Sequence, residues 1–253
     1  QQIKGGTLQR DTKVADLLPV WWEPEGAKVT TIRTLIQRQT DLLFEPVVGH
    51  AKDPDPPPLE TVVGSIAASP RRKETEWRWF HNHSGHAVLG RILEQIHGAD
   101  FATVARTQLL EPLGLKSLKI GVQSFPEGAP TVLGDVWMPD GRRVPTPTHP
   151  IGATSSLGMV GTLLDLVRFG EARVALADRI DSAEKDSLHQ VMRAANRLRG
   201  WDGSVAGQTA LLKTDYKGRV GIALATNSHH CESVLQHILQ RIVRRRMIPQ
   251  DGL

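Results

Sequence analysis

The strongest constraint on this chain is a change of period near its C-terminal end. In "GQTALLKTDYKGRVGIALATN" two apolar runs, Thr209 to Lys213 and Val220 to Ala225, flank turn residues from Asp215 to Gly218. That pattern predicts an antiparallel hairpin. Most of the sequence before it reads at helical period. After it, "CESVLQHILQRIVRRRM" predicts a closing helix with Val234, Leu235, Ile238, Leu239, Ile242 and Val243 inward. A lone two-stranded hairpin is not stable in water. The chain is therefore expected to be α+β, with a sheet completed by something else: polypeptide ahead of these residues, or a second chain.

The helical part has readable ends. "QQIKGG" has the form of a last helical turn stopped by Gly5 or Gly6. "TKVADLLP" reads as a short turn and anchor. In "VTTIRTLIQRQTDLLF", Thr30 or Thr31 is the N-cap and Ile32, Leu35 and Ile36 recur at helical spacing. "LETVVGSIAASP" predicts a short amphipathic helix. "AVLGRILEQIHG" puts Val88, Leu89, Ile92, Leu93 and Ile96 on one face, with Gly98 as the stop. Asp100 caps the next helix, which turns Phe101, Val104, Leu109 and Leu110 inward. "VLGDVWMPDGRRVP" predicts a small hairpin turning at Asp140-Gly141. "TLLDLVRFGEARVAL" and "DSAEKDSLHQVMRAAN" read as two more helices. Three regions follow: 1–27, a helix remnant and turn; 28–195, a helical lobe with a small hairpin; 196–253, the sheet hairpin and closing helix.

Composition excludes several classes. The net charge is only +4, and much of the excess sits in "RIVRRR", where cations suit a helix C-terminus. This does not argue for nucleic acid. One cysteine, Cys231, rules out an internal disulfide. No apolar run approaches the ~18 residues of a membrane span. The chain opens without an initiator Met, so the native N-terminus is expected to lie upstream.

The densest chemistry is "WRWFHNHSGH", with His81, His83 and His86 after three aromatic residues. It is a metal site, a catalytic site or a polar turn before a helix. As a metal site it is one residue from H-x-H-x-D-H, but Gly85 stands where the Asp would bind. "SHHC", Ser228 to Cys231, reads as a cap with a half-buried cysteine. "VWW" and "WRWF" read as core and cleft wall, since few cations interleave. No metal or other cofactor is expected.

Four segments together resemble the serine β-lactamase-related family, which includes class C-type β-lactamases, penicillin-binding DD-peptidases and related esterases. "GGTLQRDTKVADLLP" is similar to its G-x-L-x-L-D-x-x-V-x-x-Y-L-P. "VTTIRTLIQRQTDL" is similar to I-T-I-R-H-L-L-T-H-T-S-G-L. "HNHSGHAVLGRILEQIHGADFATVARTQLLEPLGL" follows Y-S-N-x-G-Y-x-L-L-G and P-L-G-M. "IGATSSLGMVGTLLDLVRFG" follows A-G-G-L-x-S-T-A-x-D-L-A-R-F, and the hairpin ends on Asn227 as in G-I-x-x-x-x-N.

The resemblance implies an antiparallel sheet flanked by helices, with an all-helical lobe and the active site in the cleft. It implies a serine hydrolase or acyltransferase for ester, amide or lactam bonds on a small-molecule or peptide-like substrate. Export to the periplasm or outside the cell is the family's habit. The family's S-x-x-K serine and lysine would lie upstream of Gln1. The only S-x-x-K here, Ser182 to Lys185, reads as a helix start, and the only tyrosine, Tyr216, falls in the hairpin turn. Two registers fit the Y-x-N position. The ungapped one sets His81, Asn82 and His83 on Tyr, Ser and Asn; the other sets Phe80 on Tyr and keeps Asn82 as the Asn. The ungapped register gives His81 the place of the general base, with His83 beside it and Asn82 facing substrate. Trp201 and Gly203 stand on the K-T-G or H-x-G strand that lines the cleft. A non-catalytic binding member of the same fold, or a zinc hydrolase built on HNHSGH, are the rival expectations.

Overall fold

The computed structural model describes residues 2–3, 5–26, 28–42, 57–71, 83–120, 134–145, 155–156, 159–177, 198–205, 207–215, 221–228 and 231–247. The chain forms two compact units. One comprises Gln1–Leu109, Lys119–Ser124 and Pro150–Met159; the other comprises Leu110–Leu118, Phe125–His149 and Val160–Leu253.

The first unit is helical. Thr7 N–H donates to the Gln2 carbonyl and Gly6 N–H to that of Ile3, while Gly6 takes φ +78°. These are the bonds of a Schellman helix end, and Gly6 is its left-handed residue. A short 3₁₀ turn, Val14–Asp16, then buries Val14. Thr31 and Thr34 form a capping box around α1 (Ile32–Ile36). The helix is shorter than the sequence suggests. Arg38 closes it with φ 55°, the one positive-φ residue other than glycine among those described. Ile36, expected inward, is exposed, because so short a helix turns only Ile32 and Leu35 to the core.

α2 (Leu59–Ala68) buries Leu59, Val62, Val63 and Ile66, and α3 (Ser84–His97) buries Val88 and Ile92. Leu89 and Ile96 pack partly buried against the same core. Gly98, at φ 61°, ends α3 as its sequence suggests. Asp100 accepts from Thr103 N–H to cap α4 (Phe101–Ala105), which widens into a π-helical turn over Arg106–Leu110. Val104 and Leu110 are buried. Two short strands, β1 (Lys119–Ile120) and β4 (Met159–Val160), lie further along the chain.

The second unit holds both hairpins. β2 (Asp135–Trp137) and β3 (Arg143–Pro145) pair antiparallel around the expected turn, with Gly141 at φ 81°. The main sheet has three strands in the order β5 (Leu198–Val205), β6 (Gln208–Asp215), β7 (Gly221–Thr226). The hairpin read from sequence is β6–β7. Its first additional strand is β5, from the residues just ahead of it, which corrects the expectation that only upstream polypeptide or another chain could extend it. α5 (Leu163–Ala177) packs on one face and α6 (Glu232–Met247) on the other. Leu211, Leu235 and Leu239 form the core beneath α6, with Ile222, Leu224 and Val243 against them. Val234 and Ile238, expected inward, are 55% and 40% exposed. The apolar stripe of α6 is wider than the part of it that Leu235 and Leu239 bury.

α5 is anchored by a carboxylate. Asp165 is buried, accepts from Ser117 N–H at 2.7 Å and Ser117 Oγ at 2.8 Å, and receives Arg168 Nη1 at 3.0 Å. Those bonds hold its pKa below the usual carboxylate value, the Ser117 backbone N–H contributing most. Asp165→Ala is expected to cost about 1.5–3 kcal/mol in urea unfolding, the range for a hydrogen bond to a charged group. The folded pKa is depressed, so this stability is present above about pH 4 and is lost as pH falls through the folded value. Asp165→Asn should therefore flatten the acid limb of the stability curve, and an unchanged limb would refute the assignment.

Candidate active site

Each segment that resembles the family is tied to another by a specific contact. Arg33 Nε and Nη2 donate to the two carboxylate oxygens of Asp11 at 2.7 and 2.8 Å, a bidentate pair. Asp11 belongs to "LQRD" and Arg33 to "TIRT", so the first two segments are joined here. Their backbones meet as well, with Val14 N–H on the Thr30 carbonyl and Ile32 N–H on that of Thr12. Gly90 in "AVLG" joins the third segment to the fourth. A Cβ there would lie 2.4 Å from Ser155 Cβ, so only glycine lets α3 come this close to "TSS".

The histidine segment enters α3 at its N-terminus. His81 and Asn82 lie outside the described residues. His83 occupies the N-cap position with helical φ −83° and ψ −20°, and its side chain makes no capping bond. Its carbonyl accepts from Ala87 N–H at 2.9 Å. The residue is half-buried. Ser84 follows, fully buried, with no hydrogen-bond partner for its Oγ among the described residues. A buried hydroxyl left without a bond costs free energy and calls for a functional or structural reason. The sequence reading did not single out Ser84. Its only cue was its place inside "HNHSGH". Among the described residues no three His, Cys, Asp or Glu side chains converge as a metal site.

The strand-edge segment lies in the second unit. Trp201 pairs with Leu212, Asp202 with Leu211 and Gly203 with Ala210. β5 is the outer strand of the sheet, so its far side carries main-chain donors and acceptors with no neighbouring strand among the described residues. Asp202 is held on the α6 face, bonded to Lys213 Nζ at 2.8 Å and to Gln236 Nε2 at 3.0 Å. Alternation puts Gly203 on the opposite face. A Cβ there would meet nothing within 4 Å among the described residues, whereas a Cβ on Gly200 would lie 1.6 Å from the Leu212 carbonyl oxygen. One glycine is required by strand pairing, while the other leaves open space beside the edge.

Asn227 closes β7, and its carbonyl accepts from Asp135 N–H at 2.9 Å. Cys231, half-buried, precedes α6 and accepts from Leu235 N–H at 3.0 Å through its carbonyl, the capping position expected for "SHHC". Of the two described tryptophans in "VWW", Trp21 is core and Trp22 is exposed; "WRWF" and the segment from Asp181 to Asn196 lie outside the described residues.

Comparison with known proteins agrees with this arrangement. The family model described as Beta-lactamase matches residues 1–241. Over 117 residues the chain is 28% identical to Penicillin-binding protein 4 of Amycolatopsis lactamdurans, a match covering 46% of this chain and 30% of that relative's length. FmtA of Staphylococcus aureus superposes with TM-score 0.77 at 16% identity, over 96% of this chain and 69% of its own. The D-amino acid amidase of Ochrobactrum anthropi SV3 superposes with TM-score 0.75 at 16% identity, over 96% and 80%. The fold is thus β-lactamase/DD-peptidase-like, with helices around antiparallel sheet. No helix of the described residues is long and apolar enough to cross a membrane.

Proposed function

The chain belongs to the beta-lactamase family, and from that premise we propose a serine hydrolase or acyltransferase acting on an ester, amide or lactam bond, with its nucleophile on polypeptide outside these residues. A serine hydroxyl attacks only when a neighbour takes its proton. Neither the S-x-x-K lysine nor the assisting tyrosine stands at its family position in this sequence. His81 takes the proton-transfer role, because an imidazole changes charge near neutral pH. His83, at the place of the motif's Asn, supports it, and Asn82 between them is a substrate contact. Trp201 and Gly203 line the strand edge, where main-chain N–H groups meet substrate and developing oxyanion.

The observation that carries this reading is Gly203: among the described residues, the one at the family's strand-edge motif sits on an outer strand with nothing within 4 Å of a Cβ. The names of the relatives, a penicillin-binding protein and a D-amino acid amidase, favour a peptide-like substrate. A fluorophosphonate or penicillin probe on the natural polypeptide is expected to label one serine outside these residues. His81→Ala should lower turnover about 10²–10⁴-fold, the range for a general base. Labelling within residues 1–253 would overturn the location of the nucleophile. The missing tyrosine, and a tryptophan where the family has a cation, favour a second reading, a binding protein without turnover. Saturable ligand binding in a folded sample with no labelled serine would establish that one instead.

A further inference from the structure

The proposed function places substrate along β5, and an outer strand is hydrogen-bonded to its sheet along one side only. The composition of β5 does not favour rigidity. Gly200 and Gly203 stand three residues apart in its middle, and glycine leaves the main chain freest to twist or bulge. Among its described residues Asp202, Gly203 and Ser204 are exposed and none is buried. The apolar core beneath α6 holds Leu211 of β6 with Ile222 and Leu224 of β7, so it begins one strand in from this edge. Ser204 Oγ and Thr209 Oγ1, 3.3 Å apart, join β5 to β6 near their turn. The middle of β5 is held by Asp202, which lies between the two glycines. One of its carboxylate oxygens accepts from Lys213 Nζ of β6 at 2.8 Å, and the other accepts from Gln236 Nε2 of α6 at 3.0 Å. The Lys213 side chain is only 17% exposed, so salt and water screen this pair less than an open surface pair.

We infer that Asp202 is a positioning residue. Tied to β6 and to α6 by two charge-assisted bonds, it fixes the main chain between Gly200 and Gly203, and with it the outer edge that meets substrate. The inference rests on the proposed function for what that edge binds, and adds the residue that keeps the edge in place. Asp202 touches no reacting atom: each of its oxygens is engaged on the α6 face, opposite Gly203. A lysine cation does lie beside the strand-edge motif, but it comes from β6 and is engaged by Asp202, so it steadies the strand and does not meet substrate. Groups that act on a transition state must be held within about 0.5 Å of their productive geometry. A displacement of about 1 Å can cost on the order of 10²-fold. Losing the tether leaves the β5–β6 ladder in place, so a smaller displacement and a smaller loss follow.

The test compares Asp202→Ala, Asp202→Asn and the charge swap Asp202→Lys with Lys213→Asp, all in the natural polypeptide. In Asp202→Ala the protected amides between Gly200 and Ser204 should exchange about tenfold faster, with those of β7 unchanged. The charge swap should restore the slow rates, because Gln236 can turn its carboxamide to accept from the new ammonium. Asp202→Asn keeps an acceptor for Gln236 but no charge for Lys213, and should fall between. kcat/KM for a p-nitrophenyl ester or a D-amino acid anilide should drop about tenfold in Asp202→Ala, mostly in kcat, and return to within about threefold in the swap. Tm should move by less than about 4 °C throughout, since the Asp202 side chain is 42% exposed. A merely structural pair would move Tm and activity together. Exchange in β5 unaffected by Asp202→Ala, or not restored by the swap, would overturn the inference. So would kcat/KM within about twofold of wild type in Asp202→Ala where a serine is labelled. Where no serine is labelled, the proposed function fails by itself and amide exchange still decides the tether.

Discussion

Arg71→Ala is expected to cost about 3–5 kcal/mol of stability, the range for breaking a buried ion pair from one side. The Arg71 and Asp41 side chains are 5% and 9% exposed, and Arg71 Nη1 lies 3.7 Å from Asp41 Oδ1. That distance gives electrostatic attraction without a good hydrogen bond. Nη2 donates to the Trp22 carbonyl at 3.2 Å, and the guanidinium carbon sits 4.8 Å from the centre of the Trp21 ring. Nε and Nη1 have no hydrogen-bond partner among the described residues. Burial pulls the guanidinium pKa down, and Asp41 and Glu23 oppose it without prevailing. The cation is thus held at a cost, and removing it strands the Asp41 carboxylate. Replacing both by apolar residues, Arg71→Met with Asp41→Leu, should recover most of the loss. A double-mutant cycle in urea would then show strong coupling. A single-variant cost below ~1 kcal/mol would mean that water already solvates the pair.

Much of the scaffold was legible because its rules are local. Thr31, Asp100 and Gly98 announce caps and stops by residue type, and the structure uses all three. The family segments were legible for a different reason, which the contacts supply. Asp11 with Arg33, Gly90 with Ser155 and Asp165 with Ser117 each fasten segments distant in sequence. What the chain shares with its family among the described residues is thus largely fastening. Where it departs from the family, at His81 to His83 and at Trp201, is where chemistry is expected. β5 was not legible as a strand from its residues. "LRGWDGSV" has apolar residues only at Leu198, Trp201 and Val205, spaced closer to helical than to alternating period, and two glycines. It is a strand because β6 supplies a complete partner row. Val234 and Ile238 misled for the converse reason: periodicity finds an apolar face but cannot say how much of it is covered.

Gly203→Val is expected to separate the edge of β5 from its stability. No described residue stands within 4 Å of a Cβ at Gly203, and valine suits a strand, so unfolding should move by no more than about 0.5 kcal/mol. Gly200, three residues earlier on the same strand, is the control. There a Cβ would lie 1.6 Å from the Leu212 carbonyl oxygen, so Gly200→Ala must break the β5–β6 pairing and unfold the sheet at lower urea. If substrate lies along the outer edge of β5, the valine branches occupy the space it needs. Displacing a reacting group by about 1 Å can cost on the order of 10²-fold. In the polypeptide that carries the nucleophile, kcat/KM for a p-nitrophenyl ester, a chromogenic cephalosporin or a D-amino acid anilide should fall by about that factor, with Tm unchanged. Smaller Gly203→Ala should fall between wild type and valine. Should Gly203→Val keep its kcat/KM within about twofold on every substrate turned over, the open face of β5 is not where substrate lies, and the strand-edge reading of Trp201 and Gly203 fails with it.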